Sequence, residues 1–353
     1  MELLENLLKI YYMKTKEIYD SYYKNIILLK KHKRTKINFF SAVYLIFIYL
    51  ISKFISLFFK YNINSTESIS ISWSNTHTNQ LNKILANCIV LNLNKIDNSK
   101  IFKIYFYNIF KEIFTLLRHD SPLYYKILFV FEYNLFKSII DSNKKVFISG
   151  HFDRITIIIS HICKHNNIEL TVVQHGALEY FENMPKIYVS NVIYMYKFSE
   201  HYFRKYYYPI KNEIVYIYNQ DLVSDVDKFV NCKLEKKTIA FLTQPEKINF
   251  NILIIKAMLT CRDKYNLNII LHPRDKKNDY KEFFNEPSIV FSRNFCLNYH
   301  AVVTRSSTLG INFHNKNVKT IFVNLEGLQM DFYDIENIIL INNLNNLDSL
   351  LNE

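Results

Sequence analysis

The sequence has few of the residues that usually punctuate a chain. Of its 353 residues only four are glycine, six are proline and one is tryptophan. The five cysteines stand far apart, with no CxxC pair and no Cys/His cluster: Cys88, Cys163, Cys232, Cys261 and Cys296. This spacing argues against a disulfide framework or a zinc site and suits a reducing compartment. No short apolar segment followed by small residues opens the chain, so no secretory signal is predicted.

Acidic residues are fewer than basic ones. Lys and Arg number 44 against 32 Asp and Glu, which gives a formal net charge of +12. Residues 1–61 hold eleven Lys/Arg and four Asp/Glu, so more than half of the excess lies at the front of the chain. With 49% hydrophobic and 22% charged residues, the chain can bury a substantial core and is not disordered. Its length suits two domains.

The front of the chain joins a basic run to an apolar segment. Residues 30–36 read KKHKRTK, and the segment 37–59 that follows has one charged residue, Lys53. The segment is long enough to span a bilayer. Lys53 instead favours helices that rest on anionic lipid. A true span and buried helices with a solvated basic face stay as alternatives. The run shows no nucleic-acid-binding motif, so no nucleic-acid partner is predicted.

Each glycine follows an apolar, strand-like run. Gly150 ends VFISG, Gly176 ends LTVVQHG, Gly310 closes VVTRSSTLG and Gly327 ends TIFVNLEG. Apolar runs of helical length, such as RITIIISHICKHNNI, lie between strand-like runs. This alternation predicts an α/β fold with parallel sheets. Ligands of such sheets gather beyond the carboxyl ends of the strands, so the glycines mark where a site is expected.

A polar, charged stretch near 225–237 predicts a domain boundary. The chain then has a helical, membrane-associating extension at 1–62, an N-terminal Rossmann-like domain at 63–225 and a C-terminal one at 238–353. Two Rossmann-like domains that face a cleft are the organisation of the GT-B glycosyltransferases, although a fold alone does not set the function.

The C-terminal domain carries a His-Pro-Arg sequence after an apolar run, in LHPRD at 271–275. His272, placed at a strand end, can donate a hydrogen bond or a proton to a phosphate oxygen. Pro273 stiffens the turn, and Arg274 adds a cation that pairs with an anion or faces solvent. An ordinary turn is the structural alternative.

A second apolar run stops at TRSST, residues 304–308. Ser306, Ser307 and Thr308 open a helix-like stretch, where hydroxyls and free backbone N–H groups can bind an anion. An ordinary helix cap is the structural alternative. We expect His272 to contact one side of a phosphate and these hydroxyls to contact the other side.

The pair LHPRD and TRSST resembles the His-Pro and Ser-Ser motifs of bacterial GT-B sialyltransferases and polysialyltransferases. The resemblance implies that His272 and the serines hold the phosphate of CMP-sialic acid. IAFLTQP, residues 239–245, is similar to the strand that opens their nucleotide-binding domain, which places Gln244 and Pro245 near the cytidine or its phosphate. The resemblance covers the C-terminal half and does not separate sialic acid from other nonulosonates or from Kdo.

The N-terminal domain carries VVQHGALEYF at 172–181. Its QHG element resembles one of bacterial surface-polysaccharide transferases, including capsule Kdo transferases and, more loosely, CDP-glycerol glycerophosphotransferases. Glycosyl transfer needs a base for the acceptor hydroxyl. Asp153 is the first candidate, His175 the second and Glu179 the third, with Asp120 as a weaker alternative. The acidic-acidic-Gly motif that supplies the base in the sialyltransferases has no literal match here.

The first two of these candidate bases also have a structural alternative. Asp153 could serve as the N-cap of the following helix, and His175 could be a structural residue of a turn. SNTHTNQ, residues 74–80, either contacts a sugar through Asn75, His77 and Gln80 or caps a helix, which is the favoured reading. No DxD motif occurs in the context of a metal-dependent transferase, so no metal is implied.

Residues and resemblance together predict a metal-independent GT-B glycosyltransferase, peripheral on the cytoplasmic face of the inner membrane. It would move a nonulosonic acid, sialic acid by preference, from a CMP-sugar to a surface glycan such as lipooligosaccharide or capsule. The resemblance implies inversion. The expected partners are the nucleotide-sugar donor, a glycan or glycolipid acceptor and an anionic membrane surface, and no cofactor is required besides the donor substrate. A Kdo transferase, a CDP-glycerol-type glycerophosphotransferase and a non-catalytic membrane-bound scaffold stay as alternatives.

Overall fold

The computed structural model divides the chain into two units. Unit 1 comprises Met1–His175 and Glu182–Leu222, and unit 2 comprises Gly176–Phe181 and Val223–Glu353. The structure describes these residues: 15–28, 68–72, 81, 89–92, 116, 119–140, 145–149, 153–174, 176, 178–179, 181–194, 196–209, 215–218, 237–245, 247–294, 296, 298–333 and 335–352.

Unit 1 is built on a parallel sheet of six strands in the order β2-β1-β3-β4-β6-β8. Two further strands, β5 and β7, pair with each other in parallel. The strands are β1 (Ser68–Ser72), β2 (Ile89–Asn92), β3 (Lys145–Ile148), β4 (Glu169–Val173), β5 (Ile187–Val189), β6 (Asn191–Tyr194), β7 (Tyr207–Pro209) and β8 (Val215–Tyr218). The described helices of unit 1 include α1 (Leu123–Ile140), α2 (Arg154–Asn166) and α3 (Glu200–Tyr206).

Local sequence explains where α2 begins and ends. The Asp153 side chain caps its first turn, and Asn167 ends it in the left-handed conformation at φ 55°. Between them lies an aliphatic run in which Ile157, Ile158 and Ile159 are fully buried. This run joins β3 to β4, which are neighbouring parallel strands, as predicted for a βαβ unit.

Residues 15–28 are helical and pack into unit 1. Tyr19 and Tyr22 are fully buried, and both rings contact Phe129 of α1, at centroid distances of 5.1 and 5.2 Å. The Tyr22 hydroxyl donates to Glu132, which also accepts hydrogen bonds from Arg154 of α2. The sequence assigns these residues to a separate extension. In the structure, their apolar stripe forms part of the unit 1 core.

Unit 2 has a second six-stranded parallel sheet in the order β11-β10-β9-β12-β13-β14. Counted from β9, this is the order 3-2-1-4-5-6 of doubly wound sheets, with the topological switch between β9 and β12. The strands are β9 (Thr238–Leu242), β10 (Asn266–Ile270), β11 (Ile289–Ser292), β12 (Ala301–Thr304), β13 (Thr320–Val323) and β14 (Ile339–Ile341). The described helices of unit 2 are α4 (Ile248–Met258), α5 (Thr308–Asn315) and α6 (Leu347–Asn352), with 3₁₀ segments at Leu259–Cys261 and Lys277–Phe283.

Both faces of the unit 2 sheet are covered. All five residues of β9 are buried. Phe241 faces a cluster with Ile254 of α4 and Leu351 of α6, whereas Leu242 faces a cluster with Phe313 of α5. Strands buried on both faces read as continuous apolar runs, which is why IAFL and AVVT were recognisable in the sequence.

Gly310 lets α5 lie close to the sheet. A β-carbon at this position would stand 2.7 Å from Cγ2 of Thr304 and 3.1 Å from the Phe322 ring, both on strands beneath the helix. The close approach fixes where the loop between β12 and α5 emerges.

Among the described residues, no helix is long and apolar enough to cross a membrane. The apolar segment 37–59 and the basic run 30–36 lie outside the described residues. Cys163 and Cys261 are free, buried thiols. The cysteine spacing argues against a disulfide framework, and Cys296 nevertheless takes part in a disulfide.

Candidate functional site

The predicted phosphate-binding motifs lie at one edge of the unit 2 sheet. Residues 271–275 follow β10, residues 243–245 follow β9, and residues 305–308 follow β12. Because β9 lies between β10 and β12 and all three run in parallel, their three loops are neighbours at the carboxyl edge. Ligands of doubly wound sheets bind at this edge, beside the switch point.

His272 is held in a defined orientation. Its backbone N–H donates to Oγ1 of Thr243 at 2.8 Å, and its carbonyl accepts from Asp275 N at 2.9 Å. Its ring Nδ1 accepts from the backbone N–H of Arg274 at 3.2 Å. In the neutral ring the proton therefore belongs on Nε2, which becomes a hydrogen-bond donor. Pro273 and Arg274 are exposed in the turn.

Ser307 is the N-cap of α5, which is the ordinary helix cap that the sequence offered as the alternative to an anion site. Its side chain accepts from Leu309 N at 3.2 Å, and Thr308 is the first helical residue. Ser306, Ser307 and Thr308 are half-buried. Capping uses one lone pair of the Ser307 hydroxyl and leaves its O–H able to donate.

The glycine of the QHG element approaches this helix start. A β-carbon on Gly176 would stand 3.1 Å from Oγ1 of Thr308. The residues that follow are anchored in unit 2: Leu178 N donates to Oδ1 of Asp331 at 3.1 Å, and Asp331 N donates to Leu178 O at 2.9 Å. Glu179, the third candidate base, is buried in a β-bridge with Met330.

A network of buried side chains underlies the three loops. Thr243 donates to Oδ2 of Asp275, which also accepts from the Tyr280 hydroxyl at 3.1 Å. Asn251 of α4 donates to the Tyr280 hydroxyl at 2.8 Å and to the Gln244 carbonyl at 2.7 Å. Arg305 donates to Oδ1 of Asn251 at 3.1 Å. We call these five side chains the buried network: Thr243, Asp275, Tyr280, Asn251 and Arg305.

Arg305 extends the contacts to the loop after β13. Its guanidinium pairs with Glu326, which also pairs with Lys247, and it lies 5.6 Å from the Phe250 ring centroid. Arg305 is 4% exposed. A buried guanidinium requires such an anionic partner because desolvation of an unpaired charge is costly.

The carboxylate of Asp153 lies in unit 1, after β3. Its Oδ1 accepts from Ile155 N and Thr156 N, both at 2.9 Å, and its Oδ2 accepts from the Thr156 hydroxyl at 3.3 Å. Burial raises the pKa of Asp153, although the capping hydrogen bonds and Arg154 oppose this shift. Asp153 is thus the N-cap of α2, as the structural alternative predicts, and its Oδ2 accepts only one long hydrogen bond.

For the side chains of the other predicted site residues the structure gives only their exposure, or does not describe them. Gln244 and Pro245 are half-buried after β9, and Asp120 is exposed before α1. His175 and residues 74–80 lie outside the described residues. Gln174, which precedes His175, is buried and donates to Ser199 Oγ at 2.8 Å. No cluster of three metal-ligating side chains occurs among the residues with described positions.

The sequence did not identify the buried network. Asp275 and Arg305 stand inside LHPRD and TRSST, but these motifs alone predict no role for the two residues. Asn251 could have been noticed as a polar residue at a buried position of the apolar helix INFNILIIKAM. Its partner Tyr280 lies 29 residues away, and no local pattern predicts that contact.

No protein-family model and no curated protein sequence matches the chain. Solved structures do match. Anabaena Alr3699/HepE, in complex with UDP and glucose, has a TM-score of 0.50 at 10% identity, over 81% of this chain and 89% of that one. The fold is GT-B. The wall teichoic acid polymerase TagF with CDPG has a TM-score of 0.43 at 10% identity, over 90% of this chain and 89% of TagF. At 10% identity the likeness to HepE concerns the fold alone.

Proposed function

We propose that the protein is a glycosyltransferase that uses a nucleotide-activated sugar, and that its donor is a CMP-nonulosonate, sialic acid by preference. The orientation of His272 is the observation on which the proposal depends. With Nδ1 occupied by Arg274 N–H, the ring offers an Nε2–H donor at the edge of the sheet where donors of this fold class bind.

The spacing of the strands suits one phosphate. Adjacent strands lie about 4.8 Å apart, so β10 and β12, on either side of β9, are separated by about 10 Å. A phosphate that accepts hydrogen bonds of about 2.8 Å on both sides fills a gap of this order. His272 would contact it from one side and the Ser306–Thr308 hydroxyls from the other, with Gln244 and Pro245 between them.

In the proposed reaction the acceptor hydroxyl attacks the anomeric carbon of the nonulosonate. A carbon–oxygen bond forms there, the bond to the CMP phosphate breaks, and a base takes the proton of the acceptor. Negative charge grows on the departing phosphate, where the Nε2–H of His272 and the hydroxyls stabilise it. Asp153 is the proposed base because its carboxylate follows the carboxyl end of β3 and its Oδ2 accepts only one long hydrogen bond of 3.3 Å; His175 is the second candidate.

The acceptor is proposed to be a surface glycan or glycolipid, with the basic front of the chain attracting an anionic membrane. The HepE structure contains UDP and the TagF structure contains CDPG, so the base of the nucleotide needs a direct test. Kdo transfer and glycerophosphate transfer would use the same phosphate site with a different donor.

Thermal unfolding with CMP, CDP, UMP and UDP tests nucleotide recognition. We expect CMP to raise the melting temperature most, because ligands stabilise the state that binds them. Hydrolysis of CMP-sialic acid, CMP-Kdo and CDP-glycerol without acceptor then identifies the donor. A protein that no nucleotide stabilises would be the scaffold of the alternative hypothesis, and preferential stabilisation by UDP would refute the CMP donor.

A further inference from the structure

The buried network has a composition that stability alone does not explain. Its five side chains are between 0 and 4% exposed. Burial of polar groups costs free energy that their hydrogen bonds only offset, and apolar side chains of similar volume often stabilise a core as well. A polar network beneath three loops instead fixes the arrangement of those loops.

We propose that Thr243, Asp275, Tyr280, Asn251 and Arg305 are positioning residues that hold His272 and the Ser306–Thr308 loop in register across β9. This inference rests on the proposed function, because the register is proposed to let one phosphate bind from both sides. None of the five is proposed to touch the reacting atoms.

The direction of the hydrogen bonds makes the network cooperative. Burial raises the pKa of Tyr280, so its hydroxyl stays protonated and donates to Asp275 while it accepts from Asn251. Thr243 has a single hydroxyl proton, which goes to Asp275, and its oxygen accepts from His272 N–H. Because each side chain has one consistent role, loss of one bond disturbs the next.

The network reaches each loop of the candidate site. It holds the loop after β9 through the Gln244 carbonyl, the loop after β10 through Asp275, and the loop after β12 through Arg305. The two motifs that were separate in the sequence are therefore connected side chain by side chain. A change at Asn251 should be felt at His272, although three side chains lie between them in the network.

The first test reads the tautomer of His272 in the protein without nucleotide. Nitrogen-15 NMR of the histidine rings distinguishes Nε2–H from Nδ1–H, and His272→Gln assigns the signal. We expect the Nε2–H tautomer in the wild type and in Thr243→Ser, which keeps the hydroxyl. Thr243→Val, similar in shape, and Asn251→Ala should lower the Nε2–H fraction of His272 toward that of the exposed His201.

The second test measures the Kd of CMP by calorimetry, well below each variant's melting temperature. Thr243→Val and Asn251→Ala should each weaken binding at least tenfold, and the double variant should bind no more weakly than the worse single one, since their effects share one network. Asn268→Ala is the matched control. It removes a hydrogen bond to the Tyr299 hydroxyl in the same unit, outside the network, and should leave the Kd within about twofold of the wild type.

The outcomes separate this inference from the proposed function. Wild-type protein that binds no nucleoside phosphate would overturn the proposed function. Wild type that binds CMP, with Thr243→Val and Asn251→Ala binding equally well or keeping the His272 tautomer, would overturn the positioning role and leave the function standing. Equal weakening by Asn268→Ala would also overturn it, because the effect would then be general destabilisation.

Discussion

The backbone N–H of Arg274 donates to Nδ1 of His272 over 3.2 Å. This contact turns the opposite nitrogen into a donor without any need for the ring to be charged. A short loop after β10 thus presents a neutral hydrogen-bond donor, and the same loop is fixed from below by Thr243 and Asp275.

Replacement of His272 tests the donor directly. We expect His272→Ala to lower kcat by about 10²–10³-fold, the usual effect of removing one donor to a developing negative charge. His272→Gln keeps an amide donor near the position of Nε2 and should retain more turnover than His272→Ala. Steady-state kinetics and far-UV circular dichroism check both variants. Near-full activity of a folded His272→Ala protein would remove this residue from the mechanism.

The approach of Gly176 to Thr308 makes a second prediction. A β-carbon 3.1 Å from the Thr308 hydroxyl is tighter than ordinary contact, so Gly176→Ala should displace that hydroxyl and raise the KM for the donor several-fold. Gly327→Ala is the control. Gly327 has φ +65° and nothing near its β-carbon position, so alanine there should cost about 1 kcal/mol of stability and leave KM unchanged. Equal KM values in both variants would show that the QHG glycine does not shape the site.

Asp153 can be separated into its capping role and its proposed catalytic role. Asn is as good an N-cap as Asp, so Asp153→Asn should keep the melting temperature, whereas Asp153→Ala should lose about 1 kcal/mol of stability. If Asp153 is the base, both variants lose about 10²–10⁴-fold in kcat. Full turnover by Asp153→Asn would transfer the role to His175, and His175→Asn would then be the inactive variant.

The buried ring of His161 predicts loss of stability in acid. Burial, together with the charges of His165 and Lys164, lowers the pKa of His161 to about 3. Below about pH 6.5 the His161 ring is protonated in the unfolded state but stays neutral in the folded state. The free energy of unfolding therefore falls by roughly 1.4 kcal/mol per pH unit from there toward pH 3. Urea unfolding at pH 7 and pH 5 measures the loss.

His161→Phe should reduce this acid sensitivity. The ring contact with Tyr188, at a centroid distance of 5.2 Å, can be kept by phenylalanine, which has no proton to bind. We therefore expect the difference in unfolding free energy between pH 7 and pH 5 to shrink by about 2 kcal/mol relative to the wild type. An unchanged difference would assign the acid sensitivity to other groups.

The membrane prediction needs a variant that leaves unit 1 intact. Deletion of residues 1–61 would remove Ile18, Tyr19, Tyr22 and Ile26, which are at most 1% exposed, and should unfold the unit. Replacement of Lys30, Lys31, Lys33, Arg34 and Lys36 by Gln avoids this. It should weaken cosedimentation with phosphatidylserine vesicles more than tenfold, since each basic residue contributes about 1 kcal/mol. Binding that survives the replacement would exclude electrostatic attachment through this run.

Periodicity and glycine spacing predicted much of the fold. The runs IAFL, AVVT and TIFV are strands, and the aliphatic run after Asp153 is α2, because strands and helices buried on the sheet leave continuous apolar patterns. The order of the strands depends on long-range pairing, so the position of β9 between the two motif strands was not readable. The sequence alone assigns Tyr19 and Tyr22 to an extension, because no local pattern identifies their contacts with Phe129 of α1.

The sequence predicts the residues proposed to contact the phosphate, but not the buried network beneath them. His272 and Ser306–Thr308 could be recognised because they interrupt apolar runs at strand ends. The network beneath them joins residues such as Thr243 and Asp275, which are 32 positions apart. Neither residue departs from its local pattern enough to predict a role.

A structure of the wild-type protein with CMP tests the central claim most directly. The account predicts a phosphate oxygen within about 3 Å of Nε2 of His272 and another within about 3 Å of a hydroxyl of Ser306, Ser307 or Thr308. A phosphate bound elsewhere, or one that touches the hydroxyls while the His272 ring points away from it, would contradict the account.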